Sequence, residues 1–200
     1  MGFLPDGYEI TEPVSQYMKF KAGENRFRVL SDAIQGWEWW LDKDGNLVPR
    51  DAQAGKGGKP KRVRDFKEIA GTPPQYAAKE FWAFVVWNYA FEMVQILEIK
   101  QVTIMRPMQA WARNPKWGSP TKYDIIVTRV DGDKTTYEVI NEPHSELEAD
   151  TSKAKNINLE ALFSGDDPFK DMDLKEESLS DKEADDISEA IEDDAEELKF

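Results

Sequence analysis

A small, mainly β domain of five to six strands with one interposed helix, trailed by a disordered acidic tail, is the fold class the sequence predicts. Three observations predict it. Short runs rich in aromatic and β-branched residues recur between residues 20 and 140, separated by turn residues. Only one stretch, 102–112, has apolar residues at helical spacing before that point. The charge is also divided: residues 1–150 hold 20 Lys and Arg against 22 Asp and Glu, whereas 151–200 hold 6 against 17. The overall net charge of −13 therefore describes neither a near-neutral body nor its strongly acidic appendage.

Taken in order, residues 1–18 read as an arm, 19–145 as a small β-barrel domain, 146–165 as a linker and 166–200 as the tail. Arg26-Phe27-Arg28-Val29-Leu30 alternates cation and apolar residue, as a half-buried strand does, with both arginines on one face. Ile34 to Leu41 is a second strand, and Asp42 to Asn46 supplies turn chemistry for a hairpin into Leu47-Val48. Glu80 to Asn88 and Met93 to Ile99 read as long strands. In 102–112, Ile104, Met105, Met108, Trp111 and Ala112 share a helix face, and Pro107 suits a first turn, so the helix is expected to begin there. Tyr123 to Val130 and Thr135 to Ile140 flank Asp131-Gly132-Asp133 as a hairpin. Strand signals stop after Pro143. Leu159 to Phe163 fits a short helical turn, and from Asp166 charge dominates, so no packed core is expected there.

Several chemistries are excluded by what the chain lacks. With no cysteine and a lone His144, disulfides, thiolate zinc sites, Cys nucleophiles and most His-ligated metals fall away. Gly55 to Pro60 lacks phosphate-loop spacing, and Asp42 to Asn46 places its glycine too early for an EF-hand, with Gln53 at the twelfth position. No catalytic residues, metal or cofactor are expected, and the protein is read as a non-enzyme. Phe81 to Trp87, the longest apolar run, is too short for a transmembrane helix, and no signal peptide is visible at the N-terminus. A soluble intracellular protein without membrane attachment is the expectation.

What remains is a combination suited to single-stranded nucleic acid: cations along a phosphate path and aromatic faces for unstacked bases. Arg26 and Arg28 share a strand face. Trp37 and Trp39 alternate with Trp40, so the pair and the single residue face opposite sides, and either side serves equally well as core or as stacking platform. Residues 50–67 hold seven cations among eighteen residues: Arg50, Lys56, Lys59, Lys61, Arg62, Arg64 and Lys67. Lys43 and Arg129 complete the expected DNA-binding set. Phe27, Phe81, Phe84 and Trp87 are read as core. The closing run, with Asp193, Asp194, Glu196 and Glu197 before Phe200, mimics strand phosphates and offers an aromatic ring beside a carboxylate to a basic pocket.

Phe20-Lys21-Ala22-Gly23-Glu24-Asn25-Arg26-Phe27-Arg28-Val29-Leu30 resembles the opening strand of single-stranded DNA-binding proteins of tailed phages and prophages. Trp117 to Arg129 and Thr136-Tyr137-Glu138-Val139 resemble the same group, so the similarity spans about residues 18–145. The resemblance implies an OB-type barrel that coats single strands in phage DNA replication, recombination and repair, in the cytoplasm of a bacterial host. It also implies a tail that recruits replication proteins such as DNA polymerase or helicase and competes with DNA. Some relatives hold a structural zinc, which a chain without cysteine is not expected to bind. Homo-oligomerisation is left open. The alternative reading is a phage protein-interaction module, or a DNA mimic that inhibits a host enzyme through its acidic tail.

Overall fold

The structure is a computed structural model that describes residues 14–40, 60–68 and 78–171. Its strands are β1 (Tyr17–Met18), β2 (Gly23–Val29), β3 (Ile34–Trp40), β4 (Pro60–Val63), β5 (Lys79–Asn88), β6 (Met93–Ile99), β7 (Tyr123–Val130) and β8 (Thr136–His144). Helix α1 (Val102–Arg113) joins β6 to β7, and a single turn of helix, α2 (Ala161–Ser164), follows β8. The protein is mainly β, as the alternating runs predict, and α1 covers the stretch with helical spacing.

One long bent strand organises the sheet. Both β2 and β3 run antiparallel to β5 along the same edge, β2 at Val86–Asn88 and β3 at Lys79–Ala83. Between them, Leu30 N–H donates to the Val85 carbonyl (2.8 Å), and the Val85 N–H donates to Ser31 Oγ (3.0 Å). The chain therefore never leaves β5; it only bends. Its outer edge changes partner at the bend, β2 pairing with β7 and β3 with β4. The β5–β6 hairpin, the helix, and the β7–β8 hairpin complete an OB-like order. The expected five or six strands become eight because β1 and β4 add short edges. The described strands form an open path, β1-β6-β5-β2-β7-β8, with β3 and β4 branching from β5.

Helix α1 covers one face. Its Ile104, Met105 and Met108 pack with Phe27, Val29, Phe84, Val86, Leu97, Ile99, Tyr123, Ile125 and Val127. The helix begins at Val102 rather than at Pro107, which lies inside it. Burial of Ile104 and Met105 against the sheet requires the earlier turn, and their N–H groups bond to the Gln101 carbonyl. A proline six positions in forgoes one ladder bond, a loss smaller than the apolar surface gained.

The opposite face of β5 and β6 is covered by residues that the sequence assigns to linker and tail. Leu159, Leu162 and Phe169 join Phe81, Ala83, Val85, Val94 and Ile96 in a second core, with Phe163 against its edge. Residues 152–171 thus form a strap on the body, and the expected linker at 146–165 and tail boundary at 166 give way to it. Sequence composition misses this because few apolar residues suffice when each is large and meets a preformed apolar face. Gly36 makes room: a Cβ there would stand 2.6 Å from the Val63 carbonyl and 2.7 Å from the Phe163 ring. Strand β8 also runs on through Pro143, as an edge strand tolerates.

Two ion-pair networks stitch distant strands. Asp124 on β7 accepts from Arg28 Nε (2.5 Å), Arg26 Nε (2.9 Å) and Nη2 (2.6 Å), and the Tyr89 hydroxyl (3.0 Å). Arg28 also donates to the Ser145 carbonyl and hydroxyl. Burial first, and then the Asp124 carboxylate, push the Tyr89 phenol above its usual range. In the second network Arg62 bridges Glu38 and Glu98 while lying over the Phe81 ring, and Lys100 Nζ reaches Glu38 (2.5 Å). Burial works against the Arg62 charge, but Glu98 and then Glu38 outweigh it and raise its pKa further.

Two outcomes are expected of this packing. Asp124→Ala leaves the buried Arg28 guanidinium without its carboxylate and should cost about 3–5 kcal/mol in denaturant unfolding; a loss below about 1 kcal/mol would show that Asp124 does not hold β2 to β7. Gly36→Ala should cost about 1–3 kcal/mol through overpacking and raise amide exchange in residues 157–171, because Phe163 must move.

Candidate nucleic-acid interface

Strand register decides which tryptophans share a face with which cations. Directly paired residues project to the same side, and i and i+2 do likewise. Gln35 pairs with Trp82, Trp37 with Glu80 and with Val63, and Trp39 with Lys61. Trp37, Trp39 and Trp82 therefore lie on one face, together with Lys61. That face is the α1 side, because Trp82 is in phase with Phe84 and Val86 of the first core. Glu38, Arg62 and Trp40 turn to the other side. The expected separation of the pair from the single residue is what the register gives.

Arg28 pairs across the ladder with Trp87, which belongs to the strap side. Arg26 and Arg28 thus stand on the face opposite Trp37 and Trp39, and the expected joint site made of all four does not form. Arg28 is also unsuited to phosphate, being 2 % exposed and saturated by Asp124 and Ser145. Arg26 is more open but is held by Asp124 and Glu142 and lies over the Tyr89 ring at 4.6 Å. Arg62 is enclosed by Glu38 and Glu98. Exposed Arg64 pairs with Glu160 and covers Phe163, so it clasps the strap. Arg129 donates to Asp131 and to the Phe20 carbonyl. A run of cations in sequence says nothing about the carboxylates that folding brings to them.

The tryptophan face differs. Trp37 is half-buried, with its edge on Phe66 at 5.0 Å, and Trp39 is buried against Ala78. Exposed Lys61 holds its Nζ 5.7 Å from the Trp39 ring centroid. Trp82, which the sequence reading does not single out, is half-buried and borders a groove between β5 and α1 of about 280 Å³. Phe84, Met108 and Ala112 line this groove, and Arg113 stands at its rim. Lys61 and Arg113 have no carboxylate partner among the described residues. Two carboxylates share this side: Glu80, which accepts from the Trp82 indole N–H at 3.4 Å, and Asp32, which lines the groove. Cross-strand position opposite Gln35, two residues from Trp37, was the signal that could have found Trp82, but it needs the register.

Lys43, Arg50, Lys56 and Lys59 lie outside the described residues, as do Asp193, Asp194, Glu196, Glu197 and Phe200. The expected hairpin into Leu47-Val48 lies outside them too. Among the described residues no three His, Asp or Glu side chains are grouped to hold a metal ion, and no helix is long and apolar enough to cross a membrane. Comparison of the chain with protein-family models, with curated proteins and with solved structures found no match.

Proposed function

We propose that the chain is a sequence-tolerant single-stranded DNA-binding protein without catalytic activity, which takes the strand along its α1-side face. One observation carries the reading. Trp37 and Trp82, both half-buried, share that face with Lys61 and Arg113, neither of which a described carboxylate neutralises. Aromatic faces accept any base and free cations accept any phosphate, which is the chemistry of strand binding without sequence preference. Arg26, Arg28, Arg62 and Arg64 are already paired with carboxylates on the opposite side, and the strap covers the sheet there. The phage setting in replication, recombination and repair belongs to the same proposal, as does a tail, residues 172–200, that contacts replication proteins and competes with DNA.

Quenching of tryptophan fluorescence by oligo(dT) tests the reading. Trp37→Leu should weaken binding by about 1–3 kcal/mol, and Trp40→Leu, on the other face, should not. Lys61→Ala should flatten the slope of log K against log salt by about 0.7. Absence of any affinity at low salt in protein lacking 172–200 would sink the proposal and favour a protein-interaction module.

Removal of the tail is the second test. Truncation must start at 172, because Phe169 is core. Residues 172–200 hold 13 acidic against 3 basic residues, so their loss should tighten oligo(dT) binding most at low salt, where charge competition is least screened. Unchanged affinity and salt slope would show that the tail does not compete.

A further inference from the structure

The groove between β5 and α1 continues the tryptophan face, and its lining is mixed in a particular way. Trp82 and Phe84 form one wall and Met108 the floor, while Ala112 and Arg113 come from the last turn of α1. Trp82 keeps part of its ring open to this space rather than sealing it into the core. Thr121, on the segment leading into β7, and Asp32, from the bend between β2 and β3, also line it, so Arg113 is not its only charged group.

We propose that this groove receives one unstacked base of the bound strand, with Arg113 on an adjoining phosphate. The inference rests on the single-strand reading and deepens it by assigning an insertion site distinct from the open stacking face. An apolar slot with an aromatic wall suits the flat face of a base, and polar groups at the rim suit its edge. An unpaired guanidinium beside the slot supplies the charge that a nucleotide, unlike an apolar peptide side chain, requires. Continuity with Trp37 completes the case: a strand lying on Trp37 passes Gln35 and meets Trp82 as its cross-strand neighbour. A volume of about 280 Å³ leaves room for the ring without displacing the core beneath it.

The test fills the slot from an exposed helix position. Ala112→Trp in the full chain should weaken oligo(dT) binding about 5- to 100-fold, the range for loss of one base–aromatic contact. Arg113→Ala should weaken binding and flatten the salt slope by about 0.7. A strand of the same length made of abasic deoxyribose phosphates should bind wild type and Ala112→Trp equally, since it has no base to insert. If wild type binds oligo(dT) while Arg113→Ala and a folded Ala112→Trp bind as wild type does, the slot is overturned and the single-strand reading stands. Should circular dichroism show that Ala112→Trp is unfolded, Arg113→Ala decides alone. Discrimination by Ala112→Trp against abasic strands as well would overturn the base assignment. If wild type has no affinity for oligo(dT), both proposals fall together.

Discussion

The rest of the structure depends on one constraint: the chain from Gly23 to Trp40 stays hydrogen-bonded to a single edge of β5 while bending at residues 30–33. Because the bend keeps the ladder, the faces of β2 and β3 are both defined by β5. Because it frees the other edge twice, β7 can pair on one half and β4 on the other. Each half then acquires its own ion-pair lock, Asp124 with Arg28 and Arg26 at one end, and Arg62 with Glu38 and Glu98 at the other. Both locks sit on the strap side. Burying them there is costly unless every hydrogen-bonding position is met, and the shared acceptor Asp124 and the forked donor Arg62 meet them. The α1 side is left with aromatic surface and little charge pairing.

Strap and helix divide the labour between the two faces of the sheet. Helix α1 closes most of its face but ends at Arg113, short of Trp82 and Trp37, so those rings stay partly open. The strap extends further over its own face, because Gly36 lets the Phe163 ring approach the bent strand closely. Arg64 then lies on that ring and pairs with Glu160. An exposed pair of this kind contributes little by itself. Its effect is to aim the Arg64 head toward the strap and away from any phosphate.

Local patterns were legible in the sequence, and long-range ones were not. Alternation in Arg26 to Leu30 gave a strand with both arginines on one side, and alternation in Trp37 to Trp40 separated Trp40 from the pair. Neither pattern could state which side either set would take, since that follows from pairing with β5 some fifty residues later in the chain. Partners were less legible still. Asp124 lies 98 positions from Arg26 and 96 from Arg28, so their neutralisation leaves no local trace. The strap was missed because composition averages Leu159, Leu162 and Phe169 with the charged residues between them, whereas burial acts on each side chain singly.

The strap also fixes where the acidic segment begins. Through Asp171 the chain is tied to the face opposite the tryptophans, and 29 residues follow. Fully extended, a segment of that length spans at most about 100 Å, several times the thickness of a small domain. Tethering on the far face therefore does not prevent its acids from meeting cations on the α1 side. For the proposed competition it sets the effective concentration of those acids, which falls as the path around the domain lengthens. The competition proposed above would be graded rather than all-or-none, because a strand neutralising several cations at once outcompetes the acids where a shorter strand does not. Under the proposed function, a long strand on the tryptophan face would displace those acids, and strand occupancy would then be linked to partner recruitment through charge alone.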